Sequence, residues 1–502
     1  MTVIKRDGSR EEFDIQKIIN AVDKAFKSVG QLTPLAIIEA LHSIVGSSTI
    51  IGVEDIQDRV EQVLIQYNCA RAAKAYIIYR EKHKEARDVR DRLDYMEKYS
   101  KSTENAAASS ETDANANISM KNVVTLESEV PKVKNRIIQR ARMKDKLNEL
   151  FPEVAKDYEK DLEHHIIYTH DESSSAVPKN YCEAVSLYPL ITNGIKDMDG
   201  VTPKVANHLS SFCGQFNNLV FLLSAQCKGA VAFGEFFNYF DYFCVKDYGE
   251  NYHEKEDLYA DSEHVQGRKT IGQKIEAAFQ TIVYYINQPA QNRGWQSPFT
   301  NISYYDKYYW EALFKDFYFP DGTQPSWERV SYLQKKFMKW FNEERTKAML
   351  TFPVETMALL TNGEDVVDEE YADFTAEMYS KGHSFFTYMS DSPDSLSSCC
   401  RLRNEVTDNQ FSYSLGAGGI ATGSKSVMTL NINRLVQDAV NNGYDMIEYL
   451  RENVKKVHKF QTAYNELLKD YLKDGLLTVY TAGFIDMKKQ YLTIGVNGVI
   501  EA

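Results

Sequence analysis

Apolar residues recur at helical spacing along most of this chain, broken at intervals by short apolar runs. Near the start, Thr2-Val3-Ile4-Lys5 and Arg10-Glu11-Glu12-Phe13 flank Arg6-Asp7-Gly8-Ser9. An Asp-Gly pair between two such stretches predicts a hairpin turn. Asp14 is then placed to cap a helix carrying Ile15, Ile18, Ile19, Val22 and Phe26 on one face. Leu35, Ile38, Leu41 and Val45 predict a second helix. Glu54-Asp55 opens a third with Ile56, Val60, Val63 and Leu64, and Ala72, Ala73, Tyr76, Ile77 and Tyr79 mark a fourth. Residues 1–92 therefore read as a small β-hairpin with four helices.

Residues 97–120 are poor in large apolar side chains and rich in Ser, Asn, Ala, Thr and Glu, which predicts a flexible linker or flap over 93–124. From 125 to 502, helical segments such as NRIIQRARMKDKLNELF and EEYADFTAEMYS alternate with short runs such as LLTVY and VMTLNI. That alternation predicts a large α/β domain. The last residues show no closing helix, so the domain is expected to be incomplete at Ala502.

A formal charge of −13 over 502 residues argues against general binding to nucleic acid, which needs basic surface to displace counterions. It leaves room for small anions, which need only a few local cations and helix N-termini. No apolar run approaches the twenty or so residues of a membrane span, and the charged N-terminus MTVIKRDGSREEF is no signal peptide. The seven scattered cysteines contain no CxxC pair, so neither a secreted disulfide framework nor an internal zinc site is expected. A soluble cytoplasmic protein is the expectation.

Lys17 lies in the first turn of its helix, where a cation opposes the helix dipole unless an anion joins it. With Lys5 and Arg6 close by in sequence, an anion site and a solvated charged face are both open readings. Val3-Ile4-Lys5-Arg6-Asp7-Gly8, Phe13-Asp14, Lys17-Ile18, Val53-Glu54-Asp55-Ile56-Gln57 and Ala73-Lys74-Ala75-Tyr76-Ile77 together resemble the ATP-cone. That resemblance implies a domain binding ATP or dATP, with magnesium, as an activity switch. It implies contacts from Val3, Lys5, Arg6, Glu11, Lys17, Ile18, Gln57 and Lys82, the basic residues on phosphates and the apolar ones on adenine.

Further along, Ser397-Ser398-Cys399-Cys400-Arg401-Leu402 precedes the glycine-rich Gly416-Ala417-Gly418-Gly419. Adjacent thiols beside an arginine admit three readings: a vicinal redox pair, half a metal site, or a radical-bearing thiol. Cys399-Cys400-Arg401-Leu402-Arg403, Thr429-Leu430-Asn431-Ile432, Asn287-Gln288-Pro289, Gln296-Ser297-Pro298-Phe299-Thr300-Asn301-Ile302 and Ala482-Gly483-Phe484-Ile485-Asp486 resemble the anaerobic, class III ribonucleotide reductases. The resemblance spans nearly the whole chain. It implies part of a ten-stranded α/β barrel with a central finger loop. Cys400 is implied as the thiyl residue with Cys399 its neighbour, Cys182 as a second thiol across the ribose, and His170, Asn301 and Asn431 as substrate contacts. It further implies reduction of ribonucleoside triphosphates, a homodimer, a radical S-adenosylmethionine activase and formate as reductant. The glycyl radical and a structural zinc are expected beyond Ala502.

Sulfur suits this chemistry: no protein acid or base abstracts the ribose 3′ hydrogen at neutral pH, whereas a thiyl radical can take it and return it. The position two residues after Cys400 is Leu402, where aerobic relatives carry glutamate, so the proton-handling group is unassigned. Cys213, Cys227 and Cys244 lie among apolar residues and read as core. Two other readings stand beside this one. Another glycyl-radical barrel, such as an acyl-cleaving lyase, could carry the cone, or a nucleotide-sensing regulator could carry an inert barrel.

Overall fold

The computed structural model describes residues 2–5, 10–44, 50–101, 122–198, 204–259, 269–290, 294–393, 395–398, 402–405 and 421–502. The chain divides into two compact units, Met1–Thr103 and Glu104–Ala502.

The first unit opens with β1 (Thr2–Ile4) and β2 (Arg10–Glu12), antiparallel with Val3 opposite Glu11. The expected Asp-Gly turn between them lies outside the described residues. In α1 (Ile15–Ser28), the Asp14 carboxylate accepts the Gln16 N–H at 2.9 Å, so the expected cap forms. Next come α2 (Leu35–His42), β3 (Ile50–Gly52), α3 (Val53–Gln66) and α4 (Ala70–Lys101). β3 runs parallel to β1, giving the order β2-β1-β3. The hairpin-plus-four-helices expectation is thus one strand short. Val22, Phe26, Leu41, Val60, Leu64 and Tyr76 are buried together between the helices and this sheet. In α2 the buried face is Ile37 and Leu41, while Leu35 is exposed; Val45 is not described.

Helix α4 also corrects the expected linker, since residues 93–101 are its last turns. Arg90 pairs with Asp94 and Lys101 with Glu97, both at i,i+4 spacing, and the Tyr95 and Tyr99 rings meet at 6.2 Å. Such pairs add a few tenths of a kcal/mol each, about 0.2–0.5.

The second unit begins with α5 (Val123–Glu129), α6 (Lys132–Leu150) and α7 (Ala155–Glu163). Strands β4 (Ile167–Thr169) and β5 (Cys182–Ala184) follow, then α8 (Tyr188–Asn193) and α9 (Leu209–Gln226). The chain continues through β6 (Val231–Phe233), α10 (Phe236–Tyr248), α11 (Ile271–Ile286), β7 (Thr300–Tyr305), α12 (Lys307–Phe314), α13 (Trp327–Glu344) and β8 (Val354–Leu360). Then come α14 (Glu369–Ser380), β9 (Phe386–Ser390), the antiparallel pair β10 (Ser395–Ser398) and β11 (Leu402–Glu405), and the long β12 (Thr422–Asn431). The unit ends with α15 (Ile432–Asn442), α16 (Met446–Lys473), α17 (Thr478–Thr481) and β13 (Gln490–Asn497).

β5-β6-β7-β8-β9 are five strands joined by four consecutive parallel pairings through helical crossovers. β12 then runs antiparallel against β5, and β13 parallel to β12. This is the expected α/β architecture, with eight strands in the large sheet among the described residues against the ten that the resemblance implies. The run LLTVY is no strand, since its Thr478-Val479-Tyr480 lie in α17, whereas VMTLN lies in β12. Parallel strands covered by helices need apolar side chains on the covered face. Phe233, Ile302, Tyr304 and Met357 meet that need, packed with α10 and α13 through Phe237 and Phe337. No helix among the described residues is long and apolar enough to cross a membrane.

Candidate functional sites

Because side chains alternate along a strand and paired residues share a face, the sheet register sorts the strand residues into two sets. Glu183, Val231, Ile302, Tyr304 and Glu355 face the helices. The other face carries Cys182 and Ala184, then Ala232, Asn301, Ser303 and Thr356, with Ser424 directly opposite Cys182. Around Cys182 its residues are small or polar, with Tyr305 further along, whereas the helix-facing side is bulkier and mostly apolar apart from the buried Glu183 and Glu355. Asn301 is two ladder steps from Cys182 and two residues further along, about 12 Å between Cα atoms from standard sheet spacings.

Cys182 is fully buried, and its Sγ accepts the Ala230 N–H at 3.4 Å. Glycines press on it from both sides. A Cβ on Gly229 would stand 2.6 Å from Sγ, and one on Gly423, whose φ is +133°, would stand 2.2 Å from the Cys182 carbonyl oxygen. Glycine at these two positions is what lets the neighbouring strands close around this residue.

Asn301 is buried, donates to the Val354 carbonyl at 2.9 Å, and leaves its Oδ1 without a hydrogen-bond partner among the described residues. A buried amide oxygen without a donor is costly unless something else supplies one. Ser303 and Thr356 hydroxyls bond each other at 3.0 Å on the same face. His170, half-buried, meets Thr429 Oγ1 at 2.8 Å, and its ring lies 5.9 Å from that of Tyr181, the neighbour of Cys182. Asn431 is a different case. It ends β12, seven residues and so about 23 Å of strand beyond Ser424, and its Oδ1 caps α15 by accepting the Arg434 N–H at 3.1 Å. The structure does not bring Asn431 to Cys182. Cys399 and Cys400 lie outside the described residues.

On the helix-facing side, Glu355 is buried among Tyr304, Arg345 and His383, with Nε2 of His383 at 2.9 Å. This network ties α13 to the sheet. Glu235, just past β6, is fully buried; its Oε2 accepts the Leu187 N–H at 2.9 Å, and burial pushes its carboxyl up to about 8. Lys228, also buried, holds Gln139 Oε1 at 3.0 Å, and burial lowers its ammonium to about 8. No sequence signal marked either residue. Cys213 and Cys244 are core, and burial raises Cys213 to about 12 and Cys244 well above the usual thiol value, so neither is a thiolate at neutral pH.

In the first unit, a cavity of about 210 Å³ gathers Val3, Lys5, Glu11, Lys17, Ile18 and Gln57. Phe13 and Tyr76, which sequence reasoning did not select, add aromatic walls. The volume is below the ~300 Å³ at which pockets enclose a drug-sized ligand. It suits a heterocycle, with charged groups left at the mouth. Both lysines bond Glu11 there, and Lys17 as the dominant partner lowers the Glu11 carboxyl to about 2. Lys82 is exposed on α4 and does not line the cavity; Arg6 is outside the described residues.

The family model described as anaerobic ribonucleoside-triphosphate reductase matches residues 123–502, and the ATP cone domain model matches residues 1–85. The chain is 38% identical over 97 residues to an anaerobic ribonucleoside-triphosphate reductase of Haemophilus influenzae, covering 18% of this chain and 14% of that one. It is similar in structure to the anaerobic ribonucleotide reductase of Thermotoga maritima with citrate in the active site. There the TM-score is 0.64 and the identity 30%, over 76% of this chain and 65% of that one. The same enzyme in complex with dATP and CTP matches with TM-score 0.64 and 30% identity, over 76% and 60%. The chain thus spans just under two thirds of the solved relatives' length.

Proposed function

The chain belongs to the anaerobic ribonucleoside-triphosphate reductases and carries an ATP-cone at its N-terminus, and on that premise we propose that it reduces ribonucleoside triphosphates to 2′-deoxyribonucleoside triphosphates under control of ATP and dATP. The observation that carries this reading is the position of Cys182. It is a buried thiol clamped by two glycines, with the small or polar Ala184, Ala232, Asn301 and Ser424 on the same face of the sheet.

In the proposed reaction Cys400 is the thiol that removes and returns the 3′ hydrogen, and Cys182 donates a hydrogen as the 2′ oxygen leaves as water. Cys399 is its neighbour in the same segment. A glycyl radical installed by an activase would supply the oxidising equivalent that Cys400 needs. Net reduction consumes two electrons, which we assign to formate. Asn301 contributes its Oδ1 to a substrate hydroxyl or base N–H, across a span a nucleoside triphosphate can bridge. His170, fixed by Thr429, borders the same face. Burial matters because it keeps water from a radical thiol and strengthens each polar contact there. The dATP and CTP present in the Thermotoga maritima complex support nucleotides as effector and substrate.

The cone is assigned ATP or dATP with magnesium, adenine in the cavity and phosphates toward Lys5, Lys17, Arg6 and the N-terminus of α1. The homodimer and the cytoplasmic location are part of the same proposal. The test is an anaerobic assay of the full-length, activase-treated protein with CTP and formate. We expect dCTP to form with ATP and to be suppressed by dATP. Turnover of coenzyme A thioesters with no dCTP would favour an acyl-cleaving barrel instead.

A further inference from the structure

Val3 and Glu11 are cross-strand partners, and Lys5 lies two residues beyond Val3, so all three side chains share one face of the β1-β2 pair. Lys17 reaches the same place from the first turn of α1. The Glu11 carboxylate sits where these cations converge, bonded to both. The cavity wall carries two lysines and three carboxylates, Glu11, Glu12 and Asp14. Asp14 is engaged in capping α1. As it stands, this wall repels a polyphosphate, because each lysine already has its anion.

We propose that Glu11 is a built-in substitute for the nucleotide's phosphate, holding Lys5 and Lys17 when no nucleotide is present and surrendering both when one binds. This rests on the reading of the module as a nucleotide site. A triphosphate carries several negative charges to the carboxylate's one, and its oxygens can meet both cations together beside the positive N-terminal end of α1. Binding is therefore an exchange of anions. The bonds that Glu11 makes from β2 to β1 and α1 are broken as the ligand arrives. That gives the strand a reason to move between the empty and filled states, which a residue adding one more contact would not. It also sets affinity: the internal anion weakens the site in proportion to the ion pairs that must be given up.

Exposed ion pairs are each worth little, so removing two predicts a gain in ATP affinity of about two- to tenfold. The test is calorimetric titration of the full-length protein with ATP and with adenosine, in magnesium and in EDTA, for wild type, Glu11→Gln and Glu11→Asp. A thermal melt of each variant checks that the module is folded. We expect Glu11→Gln to bind ATP tighter in both media, with adenosine unchanged. Glu11→Asp, one methylene too short to hold both lysines, should fall between. Equal or weaker ATP binding by folded Glu11→Gln overturns the proposal, and a loss confined to magnesium would make Glu11 a metal contact instead. If wild type takes up no ATP at all, the nucleotide-site reading fails, and the exchange falls with it.

Discussion

The fit around Cys182 makes Gly229→Ala the most informative single change. The added methyl would stand 2.6 Å from Sγ and 2.8 Å from the Tyr181 carbonyl oxygen. Contacts between heavy atoms of this kind rest at about 3.5–4.0 Å, so something must retreat by about 1 Å. Neither neighbour is the far end of a flexible side chain. The Gly229 N–H bonds the Tyr181 carbonyl at 2.5 Å, and Ala230 bonds Sγ itself, so the loop cannot slide away cheaply. Overpacking of this type costs about 1–3 kcal/mol. A 1 Å displacement of a reacting group can cost about 10²-fold in rate. Urea denaturation and anaerobic turnover should therefore both fall. In a Cys182→Ala background the sulfur is gone while the Tyr181 contact stays, so the stability penalty should shrink by about 1 kcal/mol. Gly229→Ala that is neutral in both backgrounds would refute the claim that the thiol is held rigidly between these strands.

Other outcomes follow from single groups. Glu235 has its carboxyl raised by burial from 4.5 to about 8, so its contribution to stability is full below pH ~4.5 and is lost as pH rises toward 8. At ~1.4 kcal/mol per pKa unit the loss is a few kcal/mol at most; Glu235→Gln should flatten a urea-midpoint profile over that range, and parallel profiles would count against it. Asn431→Ala should cost about 1 kcal/mol through the lost cap of α15 while leaving turnover per folded enzyme near wild type; a selective rise in KM for CTP would restore it as a substrate contact. Asp14→Ala should lower the stability of the cone by a similar ~1 kcal/mol, read as an earlier first transition in urea.

Elements with a long periodic face or an explicit cap were legible in the sequence. α1 begins at Asp14, α3 buries Ile56, Val60 and Leu64, and α14 covers EEYADFTAEMYS, each as spacing implies. What was not legible had short or ambiguous signals. β3 is three residues, Ile50-Ile51-Gly52, and owes its strand conformation to pairing with β1, a contact invisible to local pattern. The end of α4 has the polar composition of a linker, yet its charges fall at i,i+4 and support helix. The same holds for function. Cys182 and Asn301 were selected by motif, and the sheet register puts them on one face. Ser424 and Gly229 become meaningful only once strands are paired. Asn431 sits in a recognisable motif, but its amide oxygen is engaged in capping a helix. Tyr76 and Phe13 line the cone cavity although their spacing predicts only core.

Two sulfurs carry the account. The decisive measurement is dCTP formed from CTP, under strict anaerobiosis, by full-length activase-treated protein as wild type, Cys182→Ala and Cys400→Ala, alongside ATP titration of each. The account predicts no dCTP from either variant and ATP binding equal to wild type in both. Wild-type rates of dCTP from Cys182→Ala would contradict it, since a sulfur that can be deleted without loss is packing, and the polar face it occupies then has no established chemistry.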